Sequence, residues 1–424
     1  MRVKGEVRGD VRCLFLIISK MRPYIRFIET VILCAMATGC QGSKDVEKTR
    51  EPVPIVLTKA QSQVRDMVNG FSVNVFKGLA EKRQKGEDLV FSPLSLSTAL
   101  TMAAEGANGE TLEQFASVLG WGNADKSDVS GYYKVMCRGL KEVDPSVHFD
   151  SSNSMWIQNN YPVQSAFKST LSDYYLADVF EKDFSSSATV NDINKWVSDK
   201  TAGLIDKMVE SLSENDKVLL INALVFKGGW TFEAEKAGED VFGGENGNVK
   251  KEYFNVTTEV SYAETEDFQL FSMPYGNESY YMGVVLPSEG KSVNDIAASL
   301  SVEKLNFSDV READIHFPMF TSSWRSENKH IISVLEKMGL TLPFSASADF
   351  SGIHDGLMIT DIIQEAKIDV TDKGTVFAAA TEVNYGDGAP LPPEKVTINV
   401  NRPFVYFIRE NTSGTLLLMG IQSK

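Results

Sequence analysis

Cysteine is scarce in this chain and poorly placed for crosslinking. Only four occur in 424 residues, and Cys13, Cys34 and Cys40 all lie in the first forty. Cys137 alone lies beyond them, so no intrachain disulfide can form in the body, whose stability must come from its core. Histidine is equally rare. His148, His316, His330 and His354 show no H-E-x-x-H spacing and no pair three or four residues apart, which removes the usual zinc signatures. Positive charge is in deficit: 42 Lys and Arg against 57 Asp and Glu leave a net −15. A nucleic-acid partner is therefore not expected, because phosphate neutralisation needs a basic face. There is no G-x-S-x-G elbow, and G-G-E-N-G at 243–247 lacks the lysine and helix of a phosphate loop, so it reads as a turn. Cys137, in V-M-C-R-G-L, has helical surroundings and reads as a buried structural thiol rather than a nucleophile. The enzymatic reading has no positive support, and neither a metal nor a cofactor is expected.

The first forty residues do not read as fold. M-R-P-Y-I-R from Met21 is a short positive region, followed by the apolar run I-E-T-V-I-L-C-A-M-A-T-G-C ending at Cys40. That pattern describes an export signal, and the run is too short to span a bilayer. Ala37-Thr38-Gly39-Cys40 resembles the bacterial lipoprotein cleavage box, in which the cysteine is lipidated and becomes the new N-terminus. The expectation is a signal peptide at 1–39, with Met21 as an alternative start, then lipidated Cys40 and a polar, proline-bearing tether to residue 58. Localisation follows: exported and membrane-anchored through the N-terminal lipid at a bacterial envelope or cell surface, otherwise secreted.

Residues 59–424 contain no repeat and no Pro/Gly/Ser linker, so they read as one domain. Met67, Phe71, Val75 and Leu79 fall four apart on one helical face. Ser92 is placed to cap a second helix, Pro93 to occupy its first turn and Gly106 to end it. G-E-T-L-E-Q-F-A-S-V-L-G-W, V-N-D-I-N-K-W-V-S-D-K-T and K-H-I-I-S-V-L-E-K-M-G-L add three more helices. Strands dominate later. V-L-L-I-N-A-L-V-F at 218–226 is nearly continuous apolar sequence, which suits a strand covered on both faces. Y-Y-M-G-V-V-L-P is similar, and V-T-I-N-V-N places Val396, Ile398 and Val400 on one face. F-V-Y-F-I-R-E-N-T-S-G-T-L-L-L-M-G-I closes the chain as a hairpin turning at Asn411–Gly414. Interleaved helices and strands without strict βαβ order argue for an α+β fold.

One stretch is hard to place by these rules. D-K-G-T-V-F-A-A-A-T at 372–381 has the small and β-branched residues of a strand, yet runs into the loop sequence E-V-N-Y-G-D-G-A-P-L-P-P. With F-S-P-L-S-L-S, I-N-A-L-V-F-K-G-G-W, and N-R-P-F-V-Y-F-I-R followed by L-L-L-M-G, it occurs in an order and spacing that resemble the serpins, the serine protease inhibitor family. The resemblance covers roughly residues 60–424. It implies a serpin fold with three β-sheets, about nine helices and an exposed reactive-centre loop at about 372–393. It implies inhibition by suicide: a protease attacks the loop, an acyl-enzyme forms, and the freed strand inserts into the central sheet, dragging the protease with it.

Under that resemblance Gly374 to Thr381 form the hinge. Gly374 supplies backbone freedom, Thr375, Phe377, Ala379 and Thr381 face the core after insertion, and Val376, Ala378 and Ala380 face the other way. Val376 and Phe377 depart from the usual glutamate and alanine, and a ring entering a close-packed sheet favours a non-inhibitory substrate or binding module as the alternative. A polar gate beneath the loop is expected from Ser92, Ser95 and Asn222, with Gln364 where the family has histidine. Trp230 matches the tryptophan near the sheet's upper end and reads as core. Counting from Gly374 places the reactive bond at Gly388–Ala389, with Tyr385–Gly386 as alternative. No arginine or lysine lies between Gly374 and Pro393, so elastase-, subtilisin- or chymotrypsin-like serine proteases are the expected partners, with papain-like cysteine proteases also compatible. Lys126, Lys134, Arg138 and Lys141 are scattered among acids, so heparin-type activation is not expected, and the protein is expected to be a monomer.

Overall fold

The computed structural model describes residues 53–122, 124–213, 215–326, 329–375 and 395–424. The elements begin with α1 (Lys59–Lys82), β1 (Leu89–Phe91), α2 (Pro93–Glu105), α3 (Gly109–Val118), α4 (Lys126–Gly139), β2 (His148–Gln158), α5 (Ser165–Tyr175), β3 (Asp178–Lys182), α6 (Ser187–Lys200) and β4 (Val218–Gly229). They continue through β5 (Glu235–Gly244), β6 (Gly247–Glu264), β7 (Phe268–Tyr275), β8 (Tyr280–Pro287), α7 (Val293–Ser299), β9 (Asp309–Pro318) and β10 (Phe320–Arg325). The last are α8 (His330–Lys337), β11 (Ile359–Thr371), the two-residue β12 (Gly374–Thr375), β13 (Lys395–Asn399), β14 (Phe404–Glu410) and β15 (Leu416–Gln422). The fold is α+β, with eight α-helices among the described residues.

Helix α1 starts in a capping box: Thr58 Oγ1 accepts from the Gln61 amide while Gln61 Oε1 accepts from the Thr58 amide. Its buried stripe is Val64, Val68, Phe71, Val75 and Leu79. Met67, expected on that stripe, is only half-buried. The turn of 100° per residue brings Val68 to the inner position and swings Met67 to the flank. Helix α2 is buried from Pro93 through Ala104 and is capped by Ser92, whose Oγ accepts from the Ser95 amide. A helix so enclosed has no water for its orphan amides, so the cap has to come from the protein.

The central sheet has six strands in the order β10-β11-β12-β4-β2-β3. Strand β4 is covered on both faces, as its unbroken apolar sequence demands. Val218, Leu220, Leu224 and Phe226 enter the main core with α2. Leu219, Ile221 and Ala223 enter a second cluster with Ile193, Trp196 and Val197 of α6, Trp156 of β2, and Met208 and Val209 of the α6–β4 connection. The other strands form a nine-stranded network, in the order β1-β15-β14-β8-β7-β6-β9-β13 with β5 on β6. What would count as the second and third sheets is one ladder here. The 18-residue β6 pairs with β5 and β9 along its length and with β7 at its end. G-G-E-N-G forms the β5–β6 turn, and the β14–β15 hairpin is buried throughout. No described helix is long and apolar enough to cross a membrane.

Packing inside the network is tight where glycine permits it. A Cβ on Gly283 of β8 would lie 2.1 Å from the fully buried Phe407 ring of β14. Gly283→Ala is expected to cost about 1–3 kcal/mol by overpacking, seen as a lower urea midpoint at unchanged slope.

Candidate functional site at the split in the central sheet

Strands β4 and β11 are parallel neighbours joined over only part of their length. Their pairing runs from Val218 with Ile359 to Ala223 with Glu365 and stops there. At the upper end β12 occupies the gap, with Gly374 opposite Gly229 and Thr375 opposite Gly228 on one side. On the other side Thr371 faces Gly374 and Val370 faces Thr375. Between these levels Leu224 to Lys227 and Ala366 to Asp369 share no pairing among the described residues. The sheet is closed at one end and wedged apart at the other.

The wedge depends on three glycines. Gly374 has φ near +133°, and a Cβ there would sit 2.2 Å from the Gly228 carbonyl oxygen and 2.7 Å from Gly229 Cα. Only glycine fits that conformation and that approach. Thr375 is fully buried, and its Oγ1 lies 2.7 Å from the Tyr275 hydroxyl. Burial raises that phenol far above its ordinary pKa, so it stays neutral and able to donate. Trp230, read from sequence as plain core, also holds the turn before β12. Its Nε1 donates to the Thr371 carbonyl at 2.9 Å, its backbone amide donates to the Lys373 carbonyl at 3.2 Å, and its ring stacks on Tyr275 at 4.4 Å. Tyr275 was not singled out from sequence, since S-M-P-Y-G-N carries no signal of a partner a hundred residues away.

At the closed end lies the polar cluster. The Ser92 amide donates to Gln364 Oε1 at 2.9 Å, and Gln364 Nε2 returns a bond to the Ser92 carbonyl at 3.0 Å. Ser92 Oγ donates to the Leu417 carbonyl at 2.7 Å, and Ser95 Oγ lies 2.9 Å from it and 2.7 Å from Ser151 Oγ. The Gln364 amide donates to Ser326 Oγ, and the Ser326 amide donates to the Gln364 carbonyl. Ser92, Ser95 and Gln364 thus form one network. Asn222 sits opposite Gln364 in register, but its Nδ2 turns to Asn153 Oδ1 at 2.9 Å and the Ser152 carbonyl at 3.3 Å on β2. Asn222 Oδ1 is buried with no hydrogen-bond partner. Ser151, Asn153 and Ser326 complete the cluster. Sequence reasoning missed them because each is a common polar residue in a strand or at its end, marked only by its neighbours in space.

Among the described residues there is no group of three or more His, Cys, Asp or Glu able to hold a metal. His316 stacks on Tyr253 and bonds Asn255 and Asp240. Cys137, expected to be buried, is half-buried as a residue, but desolvation by its surroundings still pushes the thiol up to about 12, the opposite of what a nucleophile needs.

Residues 66–423 match the family model described as Serpin (serine protease inhibitor). The chain is a serpin. It is 31% identical over 376 residues to an uncharacterized serpin-like protein of Thermococcus kodakarensis, covering 86% of this chain and 87% of the relative. It is 29% identical over 358 residues to a protein named serine protease inhibitor from Cyanea capillata, covering 79% and 91%. The native-state crystal structure of tengpin, a thermophilic serpin, superposes with a TM-score of 0.76 at 28% identity, covering 88% of this chain and 97% of tengpin. Serpins are protease inhibitors and generally not catalytic enzymes. Of the serpin features expected from sequence, Gly374, Thr375, Ser92, Ser95, Asn222 and Gln364 are placed as above. Val376 to Thr381, Tyr385, Gly386, Gly388, Ala389 and Cys40 lie outside the described residues.

Two outcomes are expected. Gln364→Ala leaves the buried Ser92 amide without its partner, while the Ser92 carbonyl keeps its bond from the Leu96 amide, and should destabilise the native state by about 1–3 kcal/mol, read from urea unfolding. Cys137 should react with an aromatic disulfide reagent at pH 8 at least about tenfold more slowly than in the urea-unfolded chain, since the shift suppresses its thiolate.

Proposed function

We propose that this serpin is a suicide inhibitor of extracellular serine proteases of the elastase-, subtilisin- or chymotrypsin-like kind, acting by loop cleavage, acyl-enzyme trapping and strand insertion. The observation that carries the reading is the seated hinge. Gly374 and Thr375 already pair antiparallel with both β4 and β11, so the following residues have a register to continue in. Each further residue steps down one position on each neighbour. Phe377 then comes between Phe226 and Ile368, Ala379 between Leu224 and Ala366, and Thr381 between Asn222 and Gln364.

The chemistry at those levels supports insertion. Thr381 would bring a hydroxyl to the unpartnered Asn222 Oδ1, satisfying a buried acceptor that is orphaned in the closed sheet. Ala378 and Ala380 would face the α6 side, where small side chains pass with least displacement. From Ala380 onward, at the level of Ala223 and Glu365, the strand must break the parallel pairing, so Thr381 is seated only once the Asn222 and Gln364 rung has parted. Fourteen residues at about 3.3 Å each would span roughly 46 Å, the length of the sheet. Gly388–Ala389 is the proposed reactive bond, with Tyr385–Gly386 as the chymotrypsin-like alternative. The proposal extends to export and attachment through lipidated Cys40, which rests on the leader sequence alone.

A second reading, a cleavable non-inhibitory serpin, is favoured by Phe377. Its landing position adjoins Phe226, whose ring already packs edge-on against Tyr275 at 4.9 Å and Tyr280 at 5.8 Å. A second ring there costs about 1–3 kcal/mol if the core must be forced and slows insertion relative to deacylation.

Incubation with pancreatic elastase, chymotrypsin and subtilisin separates the two. The inhibitor reading expects a detergent-resistant complex with at least one of them, and a melting temperature about 10 °C or more higher in the clipped chain. Clean cleavage with intact protease and no thermal gain would leave the substrate reading. Phe377→Ala should raise the ratio of complex to cleaved product by about threefold or more, equivalent to some 0.7 kcal/mol in relative barrier heights.

A further inference from the structure

The hinge has a continuous path down to the level of Ala223 and Glu365, where the parallel ladder begins. What lies over that fork is a strap, residues 205–212, which leads from α6 into β4. The strap belongs to the β4 side. Asn194 of α6 holds it with three bonds: Oδ1 accepts from the Met208 and Val209 amides at 2.8 and 2.9 Å, and Nδ2 donates to the Val209 carbonyl at 2.8 Å. Met208 and Val209 are buried in the cluster that includes Trp156, Leu219, Ile221 and Ala223. On the far side of the seam β10 and β11 form a second body. Arg325 pairs with Glu365, and at the next position Ser326 bonds the Gln364 backbone in both directions and the Ile362 carbonyl.

Among the described residues one hydrogen bond ties the strap to that second body at the fork, beside the packing of Ile363 of β11 against the same apolar cluster. Arg325 Nη2 donates to the Met208 carbonyl at 2.6 Å, reaching from β10 across β11 to the strap. An inserted strand moves β10 and β11 away from β4 by one strand spacing, about 4.8 Å. A bond of 2.6 Å cannot keep its geometry through that separation unless the strap is dragged off α6 and its Asn194 bonds. We propose that Arg325 is a latch across the seam, a positioning residue whose bond to the Met208 carbonyl must break for insertion to pass the fork and which thereby sets the insertion rate. The latch rests on the inhibitor reading and specifies where its barrier lies. A charge-assisted bond to a carbonyl is suited to the task. It is strong in the closed, partly dry sheet and readily replaced by water once opened.

The test uses the full chain with Arg325→Met, which keeps the length and removes the donor, and Arg325→Lys, which restores a donor. Folding of each is checked by urea unfolding. In the uncleaved protein, Arg325→Met should raise hydrogen exchange over residues 205–212, and Arg325→Lys should restore most of the protection. At saturating subtilisin, the conformational change after loop attack, followed by stopped-flow tryptophan fluorescence, should be about five- to tenfold faster in Arg325→Met, with Arg325→Lys between. Strap exchange unchanged in Arg325→Met, or insertion within about twofold of the unaltered chain, overturns the latch. If Arg325→Met does not fold, Arg325→Lys and Arg325→Gln carry the same comparison, and equal rates in both with the unaltered chain overturn it. Failure of the inhibitor reading shows elsewhere, in the unaltered chain, as clipping without thermal gain, and removes the latch with it.

Discussion

A parallel pair of strands that stops pairing halfway is the constraint on which this molecule turns. Strands β4 and β11 share a ladder as far as Ala223 and Glu365 and then separate around two residues of a third strand. An open seam inside a sheet leaves backbone donors and acceptors short of partners, an expense a globular protein normally avoids. It is held in being from outside the sheet. Trp230 and Tyr275 fix the wedge above, the bond between Gln364 and Ser92 closes the seam below, and the strap lies over the fork on the α6 face. The seam is therefore an internal edge, and on the proposed reading it is where one more strand enters.

Side-chain size is distributed to suit that role. Gly228, Gly229 and Gly374 let the wedge approach to backbone contact. The polar groups that fasten the seam to α2 are neutral amides and hydroxyls, while Glu365, at the last rung of the ladder, has its carboxyl pushed up by burial. Glutamine at 364 offers a donor and an acceptor together and uses both on Ser92, which fastens β11 to the start of α2. Asn222, which the sequence grouped with it, serves the neighbouring strand and leaves one oxygen unsatisfied. On the proposed insertion, the register of Gly374 and Thr375 would carry Thr381 to that orphan.

Much of this was legible before any coordinates. The capped start of α2 at Ser92, the doubly covered β4 and the closing hairpin all follow from local chemistry: a side chain bonding its own backbone, an apolar run with no polar face, a turn of Asn, Ser and Gly. The errors and omissions have an equally physical cause. Met67 was put on the wrong side of the α1 stripe because a strict four-residue step drifts from the true helical angle. Tyr275, Ser151, Asn153 and Ser326 carry no local mark, since each acquires its meaning from a partner distant in sequence. Arg325 reads as one more charge at the end of a strand until β10 is seen beside the fork.

By itself, then, the amino-acid order determined the element types, the lack of disulfide support, the family likeness and the unusual strand-like stretch after Asp372. Those depend on periodicity, propensity and short-range hydrogen bonding, which are properties of neighbouring residues. Only the tertiary structure decided where the central ladder stops, which polar side chains meet across it, and that Asn194 of α6 holds the strap while Arg325 reaches it from β10. Those are relations between different elements, several of them more than a hundred residues apart, set by how whole sheets and helices pack, and no local pattern encodes them.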